Sequence, residues 1–382
     1  MIERDLRNKL KYLSTKYPVV SLTGPRQSGK STLLQELFYD YQYVNLENID
    51  IRRSATDDPR GFLEKYERAI IDEAQYTPEL FSYIQVKTDA TNEVGQYILS
   101  GSQNFLLLKS ISQSLAGRVG SATLLPLSLR ELRKWKPSLT NEDIIFQGGY
   151  PRIYNVNLLP GVFYEDYIKT YINRDVNELL RVRDIASFGK FLQLLAMRAG
   201  QTLNIATLAN DCDIKVDTAN SWLSILESSF VIYLLQPYYS NIGKRLTKSP
   251  KLYFYDSGLL CHLLKIRTVA EMLDNPMFGS IFENFTVVEL YKDYINQGAA
   301  PRLYFMQDSN GNEVDIVDDT NTAVKMYEIK SGKTAKPEFA KALNLFAGEL
   351  GVAPEDRFVV YRGEELKMVG VSYIGIGLVG CL

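Results

Sequence analysis

The chain has 382 residues, enough for two or three domains, and its hydrophobic (46%) and charged (23%) fractions are those of an ordinary soluble globular protein. A formal net charge of −2 excludes a globally basic nucleic-acid binder, so any contact with DNA must come from local patches. One histidine, His262, excludes His-rich metal sites and argues against Ser-His or Cys-His catalysis, which leaves carboxylates, Lys, Arg and Mg²⁺ to carry chemistry.

No apolar run approaches the roughly 20 residues of a membrane span. The opening segment MIERDLRNKLKYL is charged and lacks the apolar centre of a signal peptide. Cys212, Cys261 and Cys381 are scattered and odd in number, so free thiols in a reducing cytoplasm are expected, with no membrane partner. His262 sits in the apolar run 259–264 and reads as a packed core residue.

Residues 19–23 (VVSLT) read as a buried strand and 32–37 as a helix. Between them GPRQSGKS at 24–31 fits G-x-x-x-x-G-K-[ST], in the strand, glycine loop, helix context that a phosphate-binding P-loop needs. Gly24 and Gly29 permit the tight turn that brings several N–H groups onto one anion. ATP binding is assigned to Gly24, Pro25, Arg26, Gln27, Ser28, Gly29, Lys30, Ser31 and Thr32. In that set Lys30 reaches the β- and γ-phosphates and the Ser31 hydroxyl holds Mg²⁺.

The strand 69–73 (AIIDE) ends in two carboxylates. In the Walker B role Asp72 holds Mg²⁺ and Glu73 polarises the attacking water. A third strand at 96–100 leads into Gly101-Ser102-Gln103-Asn104, where a polar side chain can sense the γ-phosphate. Ser102 is the first choice, with Gln103 and Asn104 as alternatives. A helical stretch, 105–115, precedes Arg118 and the strand 122–125. An arginine just before the last core strand is placed to act as a finger on a neighbour's ATP, or else to form a surface salt bridge.

GPRQSGKST, IIDEAQ, ILSGSQN, SLAGRVG and LPLSLREL together resemble a family of prokaryotic AAA+-type ATPases. The resemblance implies Walker A, Walker B, sensor 1 and arginine-finger segments, and it extends over essentially the whole chain. Residues 147–152 and 164–180 resemble the family's lid, with Arg174 and Arg152 as candidate sensing arginines.

From 185 the pattern changes. Helices at 188–198, 203–210 and 216–228, then a hairpin of 231–236 and 251–255, follow the order of a winged helix-turn-helix. The wing carries Lys244, Arg245, Lys248 and Lys251 without an acidic residue, which favours phosphate contact. The helix 216–228 also carries Asp217 and Glu227, so packing between domains or subunits is the competing use.

In the C-terminal segment Glu283 shares a helical stripe with Val287, Leu290 and Tyr294. Strands follow at 302–307, 313–317 and up to 330, then a helix and a strand at 357–361. Glu283, Asp315 and Glu328-x-Lys330 in this α-β-β-β-α-β order resemble the PD-(D/E)XK nuclease core. The resemblance implies that Asp315 and Glu328 bind Mg²⁺, Lys330 orients water and Glu283 supports the metal, with Glu313 as an extra ligand. The scaffold also serves non-cleaving binding modules.

The expected fold is thus α/β: a P-loop, AAA+-like core with lid (1–185), a winged helix-turn-helix (186–267) and a small PD-(D/E)XK-like domain (268–382). The expected function is Mg²⁺-dependent ATP hydrolysis coupled to DNA binding, remodelling or translocation by a homo-oligomer, with a hexameric ring as one form. The alternatives are an ATP-dependent regulatory or defence switch with slow turnover, and a chain whose C-terminal part binds protein.

Overall fold

The computed structural model describes residues 2–102, 114–172, 185–238 and 249–379. Gln103, Asn104, Arg174, Lys244, Arg245, Lys248 and Cys381 lie outside them. The chain divides into two compact units: 1–127 with 228–230 and 295–298, and the remainder.

The first unit contains β1 (Val19–Thr23), β2 (Gln42–Asn45), β3 (Ala69–Asp72), β4 (Tyr97–Ser100) and β5 (Val119–Thr123). They form one sheet in the order β2-β3-β4-β1-β5, and every pairing is parallel. Each residue of β1, β3 and β4 is buried, as strands covered on both faces require. Side chains alternate between two cores because successive residues point to opposite faces. Val19, Ile71 and Leu99 join Phe62, Phe81 and Ile84 on one face. Val20, Ile70 and Ile98 join Leu10, Leu33, Leu34 and Leu37 on the other. Truncating one of these residues, Ile98→Ala for instance, costs about 2–5 kcal/mol.

The strand expected at 122–125 instead starts at Val119, and Arg118 immediately precedes it. Val119 is in register with Val19, at the start of β1, whereas the P-loop follows Thr23 at the other end. Arg118 and the P-loop therefore lie at opposite ends of the adjacent strands β5 and β1. The strand length alone separates them by roughly 13 Å, at about 3.3 Å per residue.

The second unit holds an eight-stranded mixed sheet. Its strands are β6 (Ile232–Pro237), β7 (Lys251–Phe254), β8 (Leu303–Gln307), β9 (Glu313–Asp318), β10 (Lys325–Ile329), β11 (Arg357–Tyr361), β12 (Leu366–Met368) and β13 (Val371–Gly375). Their order is β12-β13-β11-β10-β9-β8-β6-β7. The helices Ile185–Ala196, Ile205–Asp211 and Val216–Ser228 lie close to their expected positions. Trp222 packs edge-on against Phe188 and Phe191, with 5.2 Å between ring centroids in both pairs.

Two features differ from the expected three-part scheme. The hairpin β6–β7 does not close a separate small domain, because β6 pairs in parallel with β8 through Gln236↔Tyr304 and Pro237↔Phe305 and extends the C-terminal sheet. The compact units also divide at Leu127 rather than near 185. Buried Asp256 gives a reason for the second difference. It accepts hydrogen bonds from Gly149 N–H (2.7 Å) and Tyr164 Oη (2.6 Å) while capping the helix Ser257–Leu263. The segment expected to be a lid is thus tied to residues far along the chain. His262 is half-buried, 3.8 Å from Glu165, and not enclosed in the core. Cys212 and Cys261 are buried free thiols.

Candidate nucleotide-binding site

The loop after β1 is shaped by backbone conformations that few residues tolerate. Gly24 has φ 145° and Gly29 φ 94°. A Cβ on Gly24 would stand 2.2 Å from the carbonyl oxygen of Leu124, so only glycine fits. Gly29 precedes the helix Lys30–Leu37, whose first turn has no side-chain cap and no acidic residue. Its N-terminal N–H groups are thereby kept for an anion. Ser28 Oγ is buried without a hydrogen-bond partner. Lys30 Nζ donates to the loop carbonyls of Gly24 (3.0 Å) and Pro25 (2.9 Å). Arg26 is buried and 3.9 Å from Glu47, while Thr32 is exposed.

Asp72, 3% exposed at the tip of β3, is the polar centre of the site. Its Oδ2 accepts from Ser31 Oγ and from Tyr43 Oη, both at 2.6 Å. Its Oδ1 accepts from Glu73 N–H (3.1 Å) and from Ser100 Oγ. Burial and the Asp72 carboxylate hold the Tyr43 phenol well above its ordinary pKa, so it remains a donor. Glu73 takes a left-handed conformation, φ 53°. Its Oε2 accepts from Ser102 Oγ (3.1 Å) and from Gln75 Nε2. Ser31, Asp72, Glu73, Ser102 and Lys30 thus converge where the carboxyl ends of β1, β3 and β4 open, the place where parallel α/β sheets bind ligands. Hard oxygen donors from Ser31 and Asp72, already within 2.6 Å of each other, fit Mg²⁺.

Three residues of this site escaped the sequence reading. Tyr43 and Ser100 both bond Asp72; Ser100 could have been noticed as the last residue of a buried strand beside Ser102. Arg4 is buried, and its guanidinium donates to Ser28 O (2.8 Å) and Leu125 O (2.6 Å), bracing the loop from behind. Arg4→Met leaves both carbonyls unmatched, at about 1–3 kcal/mol each. The expected result is a lower Tm together with weaker ATP binding, read by thermal melts with and without nucleotide.

Arg118 lies apart from these residues. It forms a two-point pair with Asp89, Nε–Oδ1 at 2.5 Å and Nη2–Oδ2 at 2.9 Å, and is about one-third exposed.

The second unit brings Glu283, Glu313, Asp315, Glu328 and Lys330 together, and adds Lys251. Here the expectation that Lys251 is a wing residue facing phosphate is corrected. Lys251 is 3% exposed: it starts β7, an edge strand buried along its whole length, and its ammonium is drawn in among carboxylates. It bonds Glu313 and lies 3.4 Å from Glu283 and 4.0 Å from Asp315. Tyr253 Oη donates to Glu283 (2.6 Å), Ile329 N–H to Asp315 (2.7 Å) and Lys330 Nζ to Glu328. Burial first, and the Asp315 charge second, push Glu283 up to about 7 and Glu328 up to about 8. Among the described residues, no group of three or more His, Cys, Asp or Glu is arranged to hold a metal ion. Around the Asp315 and Glu328 carboxylates, for which Mg²⁺ is implied, two ammonium groups already stand: Lys330 bonded to Glu328, and Lys251 4.0 Å from Asp315.

The loop, the Asp72 centre and the parallel sheet define a P-loop nucleotide site of the AAA type. A family model described as an AAA domain matches residues 16–133. Models of two domains of unknown function match 139–270 and 278–378. The uncharacterized protein Rv2008c of Mycobacterium tuberculosis is 30% identical over 371 residues, covering 94% of this chain and 80% of that protein. The chain belongs to the family that this mycobacterial protein represents. The uncharacterized protein MJ1544 of Methanocaldococcus jannaschii is 23% identical over 375 residues, covering 88% of this chain and 81% of its own length. Among solved structures, a Walker-type ATPase of Pyrococcus abyssi aligns at 16% identity with a TM-score of 0.46, covering 69% of this chain and 96% of that one. Among the described residues, no helix is long and apolar enough to cross a membrane.

Proposed function

We propose that this chain is a cytoplasmic, Mg²⁺-dependent ATPase that works on DNA as a homo-oligomer. The observation that carries the ATPase reading is the Ser31–Asp72 contact of 2.6 Å beside a glycine-shaped loop bearing Lys30. Ser31 and Asp72 would hold Mg²⁺, which would supply positive charge to the triphosphate. The open N-terminal turn of the helix Lys30–Leu37 and the Lys30 ammonium grip the triphosphate. Glu73 takes the proton of the attacking water, and Ser102 positions the Glu73 carboxylate.

The DNA-facing charges of this reading are Lys244, Arg245 and Lys248, with Lys251 withdrawn to the interior. Cleavage by the C-terminal carboxylates is not part of it. The test is ATP turnover measured with and without single-stranded, double-stranded and branched DNA, with Lys30→Ala as the inactive control. DNA-stimulated turnover is expected. Replacing Lys244, Arg245 and Lys248 together by Ala is expected to weaken DNA binding and to flatten its salt dependence, by about 0.9 in log–log slope for each phosphate no longer neutralised. Binding unchanged in affinity and slope would assign the segment to protein contacts.

One observation favours a second reading. Ser102 and Gln75 both hydrogen-bond one oxygen of the Glu73 carboxylate, Oε2, which lowers the basicity of that oxygen and suits an ATP-dependent switch with slow turnover. Slow hydrolysis that no DNA accelerates, with a nucleotide-dependent change in protease sensitivity, would select the switch.

A further inference from the structure

The carboxylate set of the second unit has a buried ammonium in its midst. Glu283 comes from the helix Phe278–Gln297, Glu313 and Asp315 from β9, and Glu328 from β10. Into their midst β7 delivers Lys251 Nζ, bonded to Glu313, 3.4 Å from Glu283 and 4.0 Å from Asp315. Divalent Mg²⁺ and Ca²⁺ need oxygen ligands at about 2.0–2.6 Å. The Lys251 ammonium occupies the volume beside Glu313 and Glu283 and supplies positive charge there, 4.0 Å from Asp315.

We propose that Lys251 is the built-in cation of this carboxylate set, so that the second unit is held together without metal and does not hydrolyse phosphodiesters by a metal-assisted route. The neighbouring contacts agree. Each remaining carboxylate takes its compensation from the protein: Asp315 from Ile329 N–H, Glu283 from Tyr253 Oη, and Glu328 from Lys330. The aliphatic stem of Lys251 is enclosed, and its ammonium stands 5.5 Å from the centre of the Phe305 ring. Within this set, Glu328 Oε2 is buried without a hydrogen-bond partner, while Oε1 of the same carboxylate is bonded by Lys330. A buried ion pair that loses one member is strongly destabilised, because the surviving charges stay buried without compensation.

The proposal is independent of the nucleotide site, and its experiment keeps the two apart. The full chain is prepared with Asp72→Ala, to silence the Mg²⁺ position of the P-loop, and titrated with Mn²⁺ under thermal melting and electron paramagnetic resonance. This parent is expected to show no Mn²⁺-dependent rise in Tm and no Mn²⁺ bound at millimolar metal. Adding Lys251→Met is expected to lower Tm and to create one Mn²⁺ site per chain that restores several degrees. Further addition of Asp315→Asn should remove that site. Mn²⁺ bound by the parent and lost on Asp315→Asn, or Mn²⁺-dependent DNA cleavage lost in the same variant, would overturn the proposal. So would a Lys251→Met protein with the parent's Tm and no response to Mn²⁺. If Lys251→Met fails to fold, the titration of the parent still decides, because it needs only the intact lysine.

Discussion

Glu73→Gln is expected to lower ATP turnover by about 10²–10⁴ while leaving ATP bound. The reason is in the geometry. Glu73 reaches past the end of β3 in a left-handed conformation, and its side chain is not among those that hold Lys30, Ser31 or Asp72. Gln keeps the shape and the hydrogen bond with Ser102 Oγ. What it loses is the ability to accept a proton from water. The check is a pair of measurements: equilibrium binding of a fluorescent ATP analogue and steady-state release of phosphate. Unchanged affinity with turnover reduced a hundredfold or more is the expected pair. Turnover within about tenfold of the parent would move the general-base role to another residue. Ser102→Ala should lower turnover less than Glu73→Gln, since it removes one of the two hydrogen bonds that position Glu73 Oε2, leaves that of Gln75 and removes no proton acceptor.

The sequence made parts of this site legible for a chemical reason. Gripping a triphosphate demands a glycine at a strained turn, a lysine and a hydroxyl at fixed spacing, and those demands are local. Gly24 shows the constraint directly, with a backbone carbonyl 2.2 Å from where a Cβ would lie. The buried strands were legible too, since two-sided burial leaves runs such as Ala69–Asp72 with three apolar residues before the first carboxylate. Partners that come from far along the chain were not legible. Arg4 sits in a charged opening segment and looks like any solvated arginine, yet it bonds Leu125 O across 121 positions. A hairpin such as β6–β7 carries no local mark of the sheet it will join, and the pairing of Gln236 with Tyr304 decides that. Lys251 was misread for the same reason. A lysine at the end of a basic stretch reads as surface, and only the arrival of Glu283, Glu313 and Asp315 around it makes it an interior cation.

Arg118→Ala is expected to lower kcat by about 10³–10⁵, the span an arginine finger supplies, and the loss should be one that a second subunit can repair. Arg118 precedes β5 at the strand end opposite the P-loop, a strand length away from its own nucleotide site. In the single chain it is engaged by Asp89, an exposed pair of the weak, salt-screened kind that a subunit contact can replace. Parent turnover per chain should therefore rise with protein concentration. Mixing gives the sharper test. A Glu73→Gln subunit has an intact Arg118, and an Arg118→Ala subunit has an intact Glu73. Where the first presents its arginine to the nucleotide of the second, one complete site forms from two inactive proteins. Partial recovery of ATPase activity on mixing is expected, with a maximum near equal proportions. Failure to recover, together with Arg118→Ala turnover within about tenfold of the parent and independent of concentration, would reduce Arg118 to a surface ion pair and remove the main physical reason for a ring.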